Sequence, residues 1–260
     1  MEYSIYQIDA FANHLFGGNP AAVVPLEQWL PDQLMQSIAM ENNLAETAFV
    51  VPKDFDYHIR WFTPLKEVDL CGHATLAAAH VFFEFLDYKH YEIRFDSRSG
   101  GLTVSKQGDW YTLDFPTDSL EEVSVTDEVK EALCLTPLEL YKGRDDYLAI
   151  VSSQEAVESA APNFDLLAQI ERRGIIVSAA GKDCDFVSRA FYPRFGINED
   201  PVTGSAHTTL TPYWAKRLGK LELTAKQLSS RGGFLKCRQL GGRTEISGQA
   251  VTYMKGKFKI

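Results

Sequence analysis

The sequence predicts an α+β chain made of two related halves, and three observations lead there. First, Arg60-Trp61-Phe62-Thr63-Pro64 runs into a polar loop and then Gly72-His73-Ala74-Thr75, which opens an apolar stretch. Arg189-Ala190-Phe191-Tyr192-Pro193 runs likewise into a polar loop and then Gly204-Ser205-Ala206-His207. Second, Gly72 and Gly204 stand 132 positions apart, and the same shift lays Gly100-Gly101 on Gly232-Gly233, so one offset aligns two features. Third, strand-like and helix-like apolar patterns alternate along a chain of 260 residues that is 45% hydrophobic, enough for two small cores.

Each element follows from its own pattern. Tyr3-Ser4-Ile5-Tyr6-Gln7-Ile8 alternates as a strand does, Pro31 to Met40 carries the start signal and apolar spacing of a short helix, and Ala48-Phe49-Val50-Val51 reads as a strand. From Ala74 to Leu86 the run is apolar nearly all round, apart from Thr75, His80 and Glu84, which predicts a helix enclosed by sheet. Gly100 to Phe115 reads as a hairpin turning at Gly108-Asp109. The acidic stretch from Asp118 to Glu131 reads as a crossover. The expected division is an N-terminal lobe over 1–117, joined by a strand at about 250–260, and a C-terminal lobe over 118–249.

Composition excludes several functions. A formal charge of −9 and a pI near 5.2, with no Lys/Arg cluster, argue against binding nucleic acid or an anionic membrane. The first residues lack a signal peptide's basic start and apolar stretch, and no apolar run is long enough to span a bilayer, so a cytoplasmic protein is expected. Cys71, Cys134, Cys184 and Cys237 lie far apart and read as reduced thiols. The histidines are scattered with no H-E-x-x-H pair, and there is no G-x-G-x-x-G or Walker loop, so neither metal nor cofactor is expected.

The repeated helix starts carry the chemistry. A helix that opens at Gly and small residues leaves backbone N–H groups free with the positive end of the helix dipole behind them. Gly72-His73-Ala74 and Gly204-Ser205-Ala206 are therefore candidate anion sites. Facing one groove between the halves, they would hold a substrate carboxylate and stabilise an enolate-like charge. Glu46, at the start of an apolar strand, is expected to be partly desolvated, which suits a group that takes and returns a proton; the alternative is an exposed strand-end Glu. Asp200 precedes the second helix start and would reach the anion site or orient His73; the alternative is a turn before proline. His73 reads as a cap or a partner of Asp200, held neutral by the helix N-terminus, and His80 and His207 read as packing residues.

Four motifs carry a family resemblance. They are Asp9-Ala10-Phe11 with Phe16-Gly17-Gly18-Asn19-Pro20-Ala21-Ala22-Val23, then Asn43-Leu44-Ala45-Glu46-Thr47, Asp69-Leu70-Cys71-Gly72-His73-Ala74-Thr75, and Glu199-Asp200-Pro201-Val202-Thr203-Gly204-Ser205-Ala206-His207. In these the chain resembles the PhzF, phenazine-biosynthesis-like, family over nearly its whole length. The resemblance implies a fold similar to diaminopimelate epimerase: two mixed β-barrel-like domains, each around a central helix, with the active site between them, in a homodimer. It also implies that Glu46 is the acid/base glutamate, with His73, Asp200 and Ser205 positioning substrate. The family's best-known reaction isomerises a dihydro-hydroxyanthranilate by proton transfer without metal or organic cofactor. The related epimerases use two facing cysteines. Here Cys71 lies near the first, but Thr203-Gly204-Ser205 offers no second thiol, so two-cysteine racemisation is not expected and Cys71 reads as a small buried packing residue.

The expectation is a cofactor-independent isomerase acting on a small carboxylate-bearing metabolite. Its catalytic residues would be Glu46, Asp200 and His73, and its substrate-binding residues Gly72, Ala74, Gly204 and Ser205. The alternatives are an epimerase with Glu46 and Asp200 as opposed bases, and a metabolite-binding protein without turnover.

Overall fold

Alternation at the N-terminus becomes β1 (Glu2–Ala10), the first strand of a unit formed by residues 1–114 and 247–260; residues 115–246 form a second unit. The computed structural model describes residues 1–54 and 56–260. The first unit continues with β2 (Asn19–Pro25), α1 (Asp32–Asn42), β3 (Glu46–Lys53), β4 (Asp56–Phe62), β5 (Glu67–Val68), α2 (Gly72–Phe85), β6 (Glu92–Ser97), β7 (Gly100–Gln107) and β8 (Trp110–Pro116). From the far end of the chain β18 (Ala250–Lys259) returns to pair antiparallel with β1 along its whole length.

β1 pairs antiparallel with β2, β2 parallel with β3, and β3 antiparallel with β4. β4 then takes the short β5 antiparallel and β6 parallel, and β6, β7 and β8 follow as antiparallel neighbours. The all-round apolar run predicted for 74–86 has its explanation here. Every residue from Gly72 to Phe82 is buried, and α2 packs against β1, β2, β3, β7 and β18. Its alanines matter for that reason: a helix enclosed by strands has no solvent face, and small side chains let strands approach from every side. α1 is one-sided, burying Met35, Ile38 and Ala39 against a cluster that includes Val24, Phe49 and Phe62.

The second unit repeats the plan. It comprises β9 (Glu121–Val123), α3 (Asp127–Leu133), β10 (Glu139–Lys142), β11 (Tyr147–Ile150), α4 (Gln154–Glu158), α5 (Phe164–Leu167), β12 (Ile175–Ala180), β13 (Phe186–Tyr192), β14 (Ile197–Asp200), α6 (Ala206–Leu218), β15 (Glu222–Gln227), β16 (Gly233–Leu240) and β17 (Arg243–Gly248). β10 pairs antiparallel with β11, β11 parallel with β12, and β12 antiparallel with β13; β13 takes the short β14 antiparallel and β15 parallel, and β15 pairs antiparallel with β16. This is the pairing sequence of β1 to β7. The stretch 118–131 is more than the predicted crossover: it holds β9 and α3, the latter started by Thr126, whose Oγ1 accepts from the Val129 N–H at 3.3 Å. The fold is α+β with mixed sheets around two helices, as the sequence predicts. Among the described residues no helix is long and apolar enough to cross a membrane.

The two arginines of the repeated motif explain why that motif recurs. Arg60 on β4 grips Glu67 on β5 through two hydrogen bonds, Nε to Oε1 at 2.7 Å and Nη2 to Oε2 at 2.8 Å, and its guanidinium lies 5.2 Å from the Phe62 ring centre. Arg189 on β13 grips Glu199 on β14 in the same manner, at 2.6 and 2.9 Å, and lies 5.0 Å from the Phe191 ring centre. Each fork fixes the loop that delivers the chain to the central helix of its own unit.

Candidate active site

In the first unit the site grows from three chain segments that end at one place. Asn43, at φ 47°, closes α1 with its N–H on the Ala39 carbonyl, in the left-handed conformation that Asn tolerates. The chain then reverses into β3, whose first residue is Glu46, paired in register with Ala21 of β2. Asn42 Nδ2 donates to Thr47 Oγ1 at 3.0 Å and so ties the helix end to the strand start. The second segment is the start of α2, with Cys71 extended as its cap and His73 in the first turn. The third is the Gly17-Gly18 turn into Asn19. Gly18 has φ +63°, and a Cβ there would lie 2.1 Å from the Ala10 carbonyl oxygen, so only glycine fits.

These segments bring Glu46, His73, Cys71 and Asn19 together. Glu46 Oε2 lies 3.0 Å from His73 Nε2, with the side chains 12% and 6% exposed. The other ring nitrogen, Nδ1, is 3.2 Å from Asn19 Nδ2 and 3.6 Å from Cys71 Sγ. Nε2 is thus turned to the Glu46 carboxylate, and Nδ1 to the Asn19 amide and the Cys71 sulfur. Desolvation pulls the His73 pKa down, but the neighbouring Cys71 sulfur and Glu46 carboxylate pull it up and prevail, so it stands well above the ordinary value. This corrects the neutral imidazole expected at a helix N-terminus: Cys71 and the Glu46 carboxylate in contact outweigh the dipole. Burial, and then the Glu46 charge, push the Cys71 thiol up, opposed by His73 and the Ala74 N–H.

Cys71 is thus more than the packing residue expected of it. The donor atoms of Glu46, Cys71 and His73 lie within 4.8 Å of one another, close enough to share one metal ion. The sequence, read as offering no metal ligands, did not show this, because Cys-Gly-His plus a remote Glu matches no spaced ligand pattern. The arrangement seen is a close carboxylate–imidazole pair, and an ion would have to replace the contact between Glu46 and His73.

In the second unit Asp200 is 8% exposed at the end of β14 and accepts from Thr203 Oγ1 at 2.5 Å. Gln227, fully buried, latches the intervening turn. Its Nε2 donates to the Asp200 carbonyl at 2.8 Å, and its Oε1 accepts the Thr203 N–H at 2.8 Å. Helix α6 begins at Ala206, and Gly204 and Ser205 form its tight entry, with their carbonyls taken by the N–H groups of His207 and Thr208 at 3.0 and 3.1 Å. Ser205 Oγ accepts from Arg173 Nη2 at 3.2 Å.

The two histidines read as packing residues are buried and polar-bonded. Desolvation brings each pKa down to about 4. His80 sits between Tyr111 Oη and Thr252 Oγ1, 2.9 Å from each, and His207 donates Nδ1–H to the Thr203 carbonyl at 2.9 Å. Sequence reasoning also missed Asn19, Gln227 and Arg173. Asn19 lies inside a motif already singled out, whereas Gln227 and Arg173 are single polar residues whose local patterns carry no signal.

The family model described as PhzC-PhzF, phenazine biosynthesis-like protein, matches residues 8–256. An uncharacterized isomerase of Pseudomonas aeruginosa is 50% identical over the whole of both chains. The crystal structure of a PhzF-family phenazine biosynthesis protein of Enterococcus faecalis has TM-score 0.98 and 47% identity, covering 100% of each chain. A predicted epimerase of Pseudomonas aeruginosa, at 20% identity and TM-score 0.77 over 99% of each chain, shares the fold.

Proposed function

Because the chain belongs to the phenazine biosynthesis-like, PhzC-PhzF, family, we propose that it is an isomerase that moves a proton on a small carboxylate-bearing metabolite, with Glu46 as the acid/base group and no cofactor. The observation that carries this reading is the buried Glu46 carboxylate held 3.0 Å from His73. A carboxylate kept from water and fixed in direction is suited to taking a proton from carbon and returning it elsewhere.

In this reading Glu46 takes a proton from a carbon next to an unsaturated or carboxylate-bearing centre. The C–H electron pair is delocalised as an enolate-like anion, and the Glu46 carboxyl, whose O–H proton exchanges with solvent, then gives a proton to a second carbon. No electron is lost or gained. His73 holds the carboxylate in place and offsets its charge. Gly72 and Ala74, at the start of α2, and Gly204 and Ser205, at the entry to α6, are proposed to bind substrate anionic groups, although the Ala74 N–H also serves the Cys71 sulfur. Asp200, fixed by Thr203, is proposed as the second polar group on the substrate. A homodimer, which the family resemblance implies, is part of the proposal and is tested by sedimentation.

The test is proton exchange. Candidate carboxylic acids incubated with the protein in deuterium oxide are expected to gain deuterium at carbon, and Glu46→Gln is expected to stop this while leaving the circular dichroism spectrum unchanged. Inversion at a single stereocentre without a shift of unsaturation would instead support the epimerase alternative.

A further inference from the structure

Arg173 belongs to none of the motifs, yet it is the cation built into the entry of α6. It precedes Gly174, where a Cβ would lie 2.2 Å from the Tyr192 ring and 2.3 Å from the Phe191 carbonyl oxygen, so the chain is pressed against β13 at this point. The Arg173 guanidinium lies 5.2 Å from the Tyr192 ring centre. Asp146, only 2% exposed, takes its Nε–H at 2.8 Å and a second bond from Nη2, and Nη2 also reaches Ser205 Oγ at 3.2 Å. One edge of the fork is consumed in this way. Nη1 makes no hydrogen bond among the described residues, and the side chain is 35% exposed.

A guanidinium fixed on one edge by a buried carboxylate and on its face by an aromatic ring has already lost most of its rotamer freedom. Its free Nη1 can therefore receive an anionic oxygen with little further ordering, and the Ser205 hydroxyl, which accepts from Nη2, can donate to a second oxygen beside it. We infer that Arg173, with Ser205 Oγ, is the anchor for a carboxylate group of the ligand. The inference rests on the proposed isomerase reading only in calling that ligand the substrate.

Ligand-observed NMR titration with benzoate, and with benzamide as its uncharged counterpart, tests the anchor. The wild-type protein is expected to bind benzoate saturably and benzamide much more weakly. Arg173→Gln alone would strand the buried Asp146 charge, so the informative variant is Arg173→Gln with Asp146→Asn, which removes the pair together. Its benzoate Kd is expected to rise about tenfold or more, as the loss of a charge-assisted bond implies. Arg173→Lys keeps a charge for Asp146 but has no fork, and it is also expected to weaken benzoate. Equal binding of benzoate and benzamide by the wild type, or a benzoate Kd unchanged in both variants, would overturn the inference. Glu46→Gln separates the two readings, because it is expected to abolish deuterium exchange while leaving the benzoate Kd as in the wild type. Arg173-dependent benzoate binding in a protein that exchanges no carboxylic acid would uphold the anchor and tell against the isomerase.

Discussion

At the scale of single residues, Glu46 and His73 depend on each other. Cys71 and the carboxylate together lift the imidazole pKa, and the imidazole gives a largely buried carboxylate a neighbour that water cannot supply. In a histidine NMR titration, His73 is expected to titrate above the ordinary value of 6.5, and Glu46→Gln is expected to lower its midpoint. The folded state binds this proton more tightly than the unfolded chain, so the contribution is fully present below the unfolded pKa and is lost as pH rises through the folded one. Urea unfolding of the wild type should therefore show a loss of stability across that interval that is smaller in Glu46→Gln, which keeps only Cys71 beside the ring. Replacing Glu46 by Gln keeps shape and removes the base, so turnover is expected to fall by about 10²–10⁴-fold, the usual worth of a positioned acid/base group.

At the scale of elements, turns decide where the site residues arrive. Gly18→Ala sets a Cβ against the Ala10 carbonyl at a backbone conformation of φ +63°, and the start of β2, which presents Asn19 to His73, must shift. The expected cost is about 1–3 kcal/mol, the range for strained backbone, read as a lowered unfolding midpoint together with reduced exchange activity. The arginine forks offer a matched pair of tests. Arg60 and Glu67 are 12% and 13% exposed in the first unit, and Arg189 and Glu199 are 14% and 22% exposed in the second. Arg189→Ala leaves a largely buried glutamate alone, and Arg60→Ala combined with Arg98→Ala does the same for Glu67, which Arg98 also reaches at 2.7 Å, so each is expected to destabilise by about 3–5 kcal/mol in chemical unfolding. A far smaller loss at either position would show that this fork is ornamental to the loop it spans.

At the scale of the whole molecule, the first unit is completed by the last strand of the chain, because β18 covers the edge of β1 opposite β2. Removing residues 250–260 leaves that edge unpaired and uncovers α2, so the truncated chain is expected to fail to fold, seen as loss of the cooperative thermal transition.

Much of this organisation is legible in the amino-acid sequence because repeats and apolar patterns are linear signals. The offset between Gly72 and Gly204 announces the duplicated strand pairing, and the unbroken apolar run after His73 announces a helix without a solvent face. The acidic run after Asp118 hid α3, whose core residues Val129, Ala132 and Leu133 are outnumbered by charges that all face water. The partners of the site residues were legible only where they share a motif, as Asn19 does. His73's charge state depends on a residue 27 positions away, and Arg173's anchorage on one another 27 positions away; such contacts exist only after folding.

The most direct test of the acid/base assignment is a comparison of wild type and Glu46→Gln in deuterium oxide, each incubated with a panel of small carboxylic acids and followed by NMR. The account predicts incorporation of deuterium at a carbon of at least one acid by the wild type and none by the variant at equal folded concentration. Equal incorporation by both proteins would contradict it.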